Sequence, residues 1–375
     1  MHRAVTGTVI IAAMMGVCAP AARGQDAQDG ARAKLPDMVT PKTVAAVQLG
    51  LKYLANMQRA DGGWLSNGRF GTYPSAMTGL SGLAMLSAGS TPEEGPHARH
   101  VRKAVTFLVR AAQVHDDGLI ATGGSEGRSM HGHGFAMLFL GQCYGMVADR
   151  EQNRELRDVL TKAAELTSAS QSDLTRKMND PSLRHAGGWY YSPTGNNDEG
   201  SVTVTQLQAL RACRNAGIKV SKNTIERAVL YLKYCQQSDG GICYSARSRG
   251  SSRPAISAAA IACFYAAGVY DRATGGQGEE AEMVERLVRY CKKAVGTNLG
   301  GSGHWFYTQF YYVQAMYQRG GKDWEDYYPR LRDRLLKMQA PDGSWNGDGV
   351  GTVYGTAMAI VSLQLPYGHL PIYQR

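Results

Sequence analysis

The sequence predicts an all-α fold, an (α/α)6 toroid of six helix-pair repeats in two concentric layers, and three observations carry that prediction. A helix-ending unit recurs as QRADGGW at Gln58 to Trp64, QQSDGG at Gln236 to Gly241 and QAPDGSW at Gln339 to Trp345; recurrence of one such unit along a chain marks a repeat architecture. Amphipathic and all-round apolar segments alternate, six of each. The 3.6-residue period dominates throughout, so only short extended pieces are expected in the loops. A helix that is apolar or small on every side must be surrounded by protein, which puts those segments inside and the amphipathic ones outside. Six pairs close a ring and need no polar end caps, unlike an open solenoid.

Met1-His2-Arg3, an apolar run from Val5 to Val17 and small residues through Ala22 form the pattern of a secretory signal peptide, with cleavage expected after Ala21 or Gly24. Residues 1–24 are read as that signal, 25–42 as a flexible leader and 43–375 as a single toroid domain, exported to the periplasm or the exterior. No later stretch reaches about 18 uninterrupted apolar residues, so no transmembrane segment is expected after cleavage. The repeats fall at approximately 43–96, 97–150, 151–222, 223–280, 281–329 and 330–375.

In unit one the outer helix runs from Thr43 to Gln58, with Val44, Val47, Leu51 and Leu54 as its apolar stripe. Asp61-Gly62-Gly63 stops it, because glycine takes the left-handed conformation that terminates a helix. The inner helix, Pro74 to Ser87, carries Ala76, Gly79, Gly82 and Ala84. Unit two runs Val101 to Gln113, turns at Asp117-Gly118-Leu119 and continues from His131 to Val147. Unit three runs Arg154 to Ser170, then Gly187-Gly188-Trp189, then Ser201 to Ala216. Unit four runs Thr224 to Gln237, then Asp239-Gly240-Gly241, then Pro254 to Ala267. Unit five runs Glu280 to Val295, then Gly300-Gly301, then Trp305 to Gln318. Unit six ends its outer helix at Met338-Gln339, turns at Pro341-Asp342-Gly343 and starts its inner helix near Val353.

The formal charge of +10 falls to +8 without Arg3 and Arg23, which suits an anionic ligand or a membrane surface. No Lys/Arg run with interleaved aromatics points to nucleic acid. Cys143, Cys213 and Cys263 lie in apolar helical segments and read as buried thiols. Cys235 and Cys243 flank a helix-ending turn and are the one local pair worth testing for a bridge. No CxxC or CxxxxH spacing supports zinc, so neither metal nor cofactor is expected.

The three Gln-to-Trp strings resemble the QW repeats of squalene and oxidosqualene cyclases, which recur in degenerate form in protein prenyltransferase beta subunits. More broadly, MHGHGFAMLFL, GSVTVTQLQALRACRNAGI, HWFYTQFYYVQAM and YGTAMAIVSLQLPYGHLPIYQR resemble exported bacterial "prenyltransferase and squalene oxidase repeat" proteins, from about residue 43 to the end. The resemblance implies the terpenoid-cyclase toroid and says much less about chemistry. The Asp-x-Asp-Asp acid of class II terpene cyclases is absent; Asp323-Trp324-Glu325-Asp326 is read as a solvated cap between helices. In the stretch laid out like the prenyltransferase zinc-histidine helix, Thr308 stands at the histidine position, and Arg253-Pro254 stands where a unit-four ligand is wanted. The Cys-Gly-Glu-Gln thioester of complement proteins with this fold is also absent.

In such a ring the N-termini of all inner helices point to one end. That geometry gathers candidate catalytic residues His131, His133, Asp198, Glu199 and Tyr307, and candidate ligand-binding residues Tyr73, Arg253, Gln309, Tyr311 and Tyr354, over an apolar funnel. Plainer readings stand beside them. Residues two apart do not share a helix face, which weakens His131 and His133 as a pair. Asp198 and Glu199 suit a helix N-terminus, where carboxylates cap free N–H groups. Trp64, Trp189 and Trp345 read as packing on outer-helix ends. Arg247, Arg249 and Arg253 suit a carboxylate, sulfate or diphosphate, or form an exposed basic loop. Three functions remain open: a terpenoid-cyclase or prenyltransferase-like enzyme with a remodelled acid, acting on an isoprenoid or lipid; a non-catalytic binding toroid; and a polysaccharide lyase using Tyr and His with Arg against a uronate.

Overall fold

The computed structural model describes residues 35–374 apart from 124, 125, 127, 128, 175–185, 297, 298 and 300–302; the stretch expected to be a signal peptide, and residues 25–34 of the expected leader, lie outside the described residues. Among the described residues the helices are α1 (Pro41–Met57), α2 (Pro74–Ser87), α3 (Ala98–Gln113), α4 (Met130–Cys143), α5 (Arg150–Ala169), α6 (Gly200–Asn215), α7 (Lys222–Cys235), α8 (Pro254–Ala267), α9 (Gly278–Cys291), α10 (Trp305–Arg319), α11 (Gly321–Met338) and α12 (Thr352–Gln364). Strand-type pairing is confined there to isolated bridges.

The even-numbered helices form the inner ring. Each packs on the next, and α12 packs back on α2, so the chain is a closed (α/α)6 toroid. Every residue of α2 is buried, and its small residues are there because neighbours approach closely. A Cβ on Gly79 would lie 2.5 Å from the Phe135 carbonyl oxygen, and one on Gly82 would lie 2.4 Å from the Phe139 ring. The segment Pro254–Thr274 is long and apolar enough to cross a bilayer, but 67% of its apolar 18-residue window is buried: it is α8 and the turn that follows.

The seam between the layers repeats one set of bonds. Indole N–H groups of Trp64, Trp189 and Trp345 donate to the carbonyls of Leu54, Thr167 and Leu335 on the preceding outer helix, at 2.7, 2.7 and 2.8 Å. The backbone N–H after each turn donates to a side chain near the start of the inner helix: Trp64 to Thr78, Trp189 to Thr203, Ile242 to Ser257 and Trp345 to Thr356. In unit two the acceptor is His133 Nδ1, 3.1 Å from the Ile120 N–H.

A glutamine amide staples four of the turns to the next outer helix. Gln58 Nε2 donates to Gly62 and His100 carbonyls, Gln236 to Gly240 and Met283, and Gln339 to Gly343 and Ala46. The last of these closes the ring onto α1. Gln171 does the same in unit three, donating to Gly187 and Thr224. Turn glycines Gly62, Gly118, Gly240 and Gly343 have φ between +88° and +97°, and a Cβ on any of them would lie 2.4–2.7 Å from a carbonyl of the following outer helix.

At the other end of the ring, where the inner helices finish, the C-terminal segment folds inward. Leu370, Ile372 and Tyr373 are buried, the Ile372 N–H donates to Gln142 Oε1, and Tyr373 meets Phe310 edge-on. This end of the ring is plugged by the chain's own tail.

Three sequence expectations are corrected. The stretch read as flexible leader is partly structured: Val39 is buried, Thr40 caps α1 and Arg332 donates to the Met38 carbonyl, so the toroid begins before residue 43. Helix α4 ends at Cys143, not Val147, because Tyr144 turns extended and Gly145 takes a positive φ. Asp323 to Asp326 lie within α11 and not between helices; Asp323 pairs with Arg319 at 2.5 Å and Lys292 at 2.6 Å.

Candidate functional site

A cavity of about 1000 Å³ opens at the end where the inner helices begin. Its walls come from the starts of α2, α4, α6, α8, α10 and α12 and from the loops before them. Ala76, Met77, Leu80, Phe135, Ile256 and Val350 make it predominantly apolar. Phe70, Tyr191 and Tyr244 line it while remaining 55%, 43% and 37% exposed, so the mouth is rimmed by large solvent-facing aromatics. Arg253, exposed at the N-cap of α8, is a cation on the lining.

Of the sequence candidates, Tyr73, His131, Arg253, Tyr307 and Tyr354 line this one cavity. Tyr73 N-caps α2 in the left-handed conformation, φ +39°, a costly backbone for a non-glycine residue. Its hydroxyl donates to the Phe70 carbonyl at 2.5 Å, fixing the loop that carries Phe70. Burial pushes the Tyr307 and Tyr354 phenols well above their ordinary range, so both are neutral hydrogen-bonding groups. Tyr307 donates to the Ser201 carbonyl at 3.2 Å.

His131 Nε2 lies 3.0 Å from Ser201 Oγ, which in turn lies 2.6 and 2.7 Å from the two oxygens of Glu199. The single Ser201 hydroxyl proton goes to the carboxylate, so Ser201 accepts from His131 and the His131 proton sits on Nε2. Burial lowers the His131 pKa, against the opposing pull of Glu199. Glu199 also accepts from the Ser201 and Val202 N–H groups, and the hydroxyls of Tyr244 and Tyr191 bond to each other nearby. Glu199 is the N-cap of α6 and is 1% exposed.

The structure does not bring the remaining candidates to the lining. His133 is wholly buried in the seam: its Nδ1 accepts from Ile120, so Nε2 carries the proton toward Thr167 Oγ1 at 3.0 Å. Burial lowers its pKa to about 4. Asp198 is buried behind Glu199, accepting from Tyr231 and the Ala246 N–H and pairing with Arg247. Gln309 accepts from Tyr327 on α11 and thus faces the outer layer. Tyr311 lies beyond Tyr307, ring against ring at 4.8 Å, wholly buried.

Sequence reasoning missed two carboxylates that hold the cavity mouth together. Glu126, on the lining, accepts from the Ser75 N–H and hydroxyl and from the Thr122 N–H and hydroxyl, at 2.7–3.0 Å. Asp348, with φ +51°, accepts from the Phe306 and Tyr307 N–H groups at 3.0 Å and so caps α10. Burial raises the Asp348 pKa, opposed by those backbone bonds. Its signal was present in GDGVG: an acid between glycines, in a loop between helices. Glu126 left no comparable mark. Carboxylates thus cap α2, α6 and α10, each from a different place in the chain. Helix α8 starts on Arg253 and Pro254, with no side-chain cap.

No protein-family model matches the chain, and no curated protein matches it. Solved structures do. The α-1,6-mannanase of Salegentibacter sp. HEL1_6 superposes with a TM-score of 0.61 over 87% of this chain and 99% of that one, at 9% identity. An inactive variant of it in complex with α-1,6-mannotriose gives 0.62, also at 9% identity, over 87% and 99%. The type II terpene cyclase MstE from Scytonema gives 0.54 over 88% and 100%, at 16% identity. A variant of that cyclase was solved with geranylgeranyl dihydroxybenzoate as substrate (0.54, 14% identity, 88% and 98% covered). Similarity at this level establishes the shared toroid and leaves the chemistry to the residues of this chain.

Proposed function

We propose that this is an exported terpenoid-cyclase-like toroid whose cavity binds an isoprenoid or other lipid-like molecule, with the polar or anionic head of the ligand at Arg253. The observation that carries the reading is the lining itself. It is a cavity of about 1000 Å³, at the upper end of small-molecule sites, with apolar and aromatic walls and a plugged far end. The Gln-to-Trp turns, which resemble those of squalene cyclases, support the same family, and the substrate bound by the Scytonema enzyme is of this chemical kind.

Glycoside hydrolysis asks for two carboxyl groups flanking the scissile bond. Among the described residues the lining holds one carboxylate, Glu126, and its oxygens are occupied by four donors. Binding is therefore the primary role we assign. The His131–Ser201–Glu199 chain gives the cavity a fixed polar wall that orients a hydroxyl of the ligand by accepting its proton.

A second reading, an oligosaccharide in the same cavity, draws on the mannanase-like ring and on the tyrosines, His131 and Arg253 at the mouth. Native mass spectrometry of the full chain purified from the cell that produces it separates the two. A co-purifying polyisoprenoid or lipid mass, lost on extraction with organic solvent, is the expected result. A hexose-ladder adduct, or turnover of an oligosaccharide, would overturn the lipid reading.

A further inference from the structure

The turn between α7 and α8 contains a feature that ligand binding does not use. Gln236 and Ile242 face each other across an antiparallel bridge, which places Cys235 and Cys243, one step further out, directly opposite. The Cys243 N–H donates to the Cys235 carbonyl at 3.0 Å. Directly opposed residues of an antiparallel pair have Cα atoms about 4.5–5.5 Å apart, inside the range a disulfide spans. The Cys243 thiol donates to the Ser245 carbonyl at 3.4 Å, which keeps it within the turn. All six described cysteines are free and buried; Cys143, Cys213, Cys263 and Cys291 sit in inner or outer helices, away from this turn.

From this geometry we infer that Cys235 and Cys243 are a redox-active dithiol that closes to a disulfide and locks the unit-four turn against the cavity wall. The two sulfurs differ in chemistry. The Cys243 pKa is lowered to about 7, chiefly by the neighbouring Cys235 thiol, with the Arg249 charge assisting; burial pushes Cys235 well above its usual value. Cys243 is thus the thiolate and Cys235 its partner. Against a low-molecular-weight disulfide, Cys243 attacks one sulfur, forms a mixed disulfide and releases one thiolate. Cys235 then gives up its proton to that thiolate and attacks the Cys243 sulfur, releasing the second thiolate, which takes back from solvent the proton Cys243 lost on ionising. Two protein thiols are oxidised, and the reagent is reduced to two thiols. Although Cys243 is buried, residues 248–251 beside it are exposed, so the reagent enters by opening of that loop.

The lock has a reach beyond the turn. Cys235 precedes Gln236, whose amide staples α7 to α9 through the Met283 carbonyl. Cys243 precedes Tyr244, which bonds to Tyr191 on the cavity rim. Oxidation would therefore fix the staple and one side of the mouth together.

The test uses the full chain, incubated at neutral pH with oxidised glutathione, quenched with acid, alkylated and digested. The expected result is a cross-linked Cys235–Cys243 peptide with the other four cysteines alkylated, and a melting temperature higher by roughly 2–5 °C than that of the reduced protein. Recovery of both Cys235 and Cys243 alkylated would overturn the inference. In Cys235→Ser the first step is trapped: glutathione on Cys243 is expected, and glutathione on any other cysteine instead would overturn the assignment of Cys243 as the attacking thiol.

Discussion

The seam between the two helix layers and the wall of the cavity are built from the same six repeats, yet they obey different rules. Along the seam the same bonds recur: glutamine amide to two carbonyls in four units, indole N–H to the helix before in three, backbone N–H to a hydroxyl on the helix after in four. Along the cavity wall no two units agree. Helix α2 is capped from a distance by Glu126, α6 by its own Glu199 and α10 by Asp348. The helix start left without a side-chain cap, α8, faces the cavity with Arg253. Repetition serves closure of the ring; departure from repetition builds the site.

The largest way to break that contrast is truncation of a seam tryptophan. Trp345 is wholly buried and its indole bonds to Leu335. Trp345→Ala should cost about 3–5 kcal/mol, whereas Phe70→Ala on the exposed rim should stay within about 0.5 kcal/mol. Denaturant unfolding of the two variants side by side checks this.

His133 comes next, because it occupies a seam position filled elsewhere by Thr78, Thr203, Ser257 and Thr356. The fold holds it neutral, with a pKa lowered to about 4, while the unfolded chain takes up a proton near the ordinary value of about 6.5. Its contribution is complete above that value and is lost as pH falls from about 6.5 toward 4, on the order of 3 kcal/mol in all. In His133→Thr the melting temperature should depend less steeply on pH across that window than in the wild type. An unchanged slope would remove His133 from the seam account.

These two variants also mark what was legible in the sequence. Six helix pairs and most boundaries could be read from apolar periodicity and the glycine turns, because burial and helix termination are local in sequence. The end of α4 was marked locally by Gly145 and passed over. The early start of the toroid at Val39 could not be read, since it depends on Arg332, far along the chain. Gln171 escaped notice for the same reason: it lies 16 residues before the turn carbonyl it binds, not four as in the other staples. At the site, five of the ten candidates reach the lining. His133, Asp198, Gln309 and Tyr311 carry the right chemistry on helix starts or faces that point into the seam or the core, and Glu199 is spent on its own helix. Which side of an inner helix faces the axis cannot be read when every side is apolar.

Two smaller effects sharpen the comparison. Gln171→Ala removes both hydrogen bonds of a buried staple and should cost about 1–3 kcal/mol, which would establish it as the equal of Gln339. Arg253→Ala should leave the melting temperature within about 1 °C while weakening an anionic amphiphile about tenfold, as loss of one charge-assisted contact implies. A shift in stability with unchanged affinity would move Arg253 from the ligand to the fold.

The most direct test of the central claim is a calorimetric titration of the delipidated full chain with geranylgeranyl diphosphate and, separately, with α-1,6-mannotriose. The account predicts one-to-one binding of the isoprenoid with a negative heat-capacity change, as burial of apolar surface requires, and no heat from the sugar. Saturable binding of mannotriose with none of the isoprenoid would contradict it.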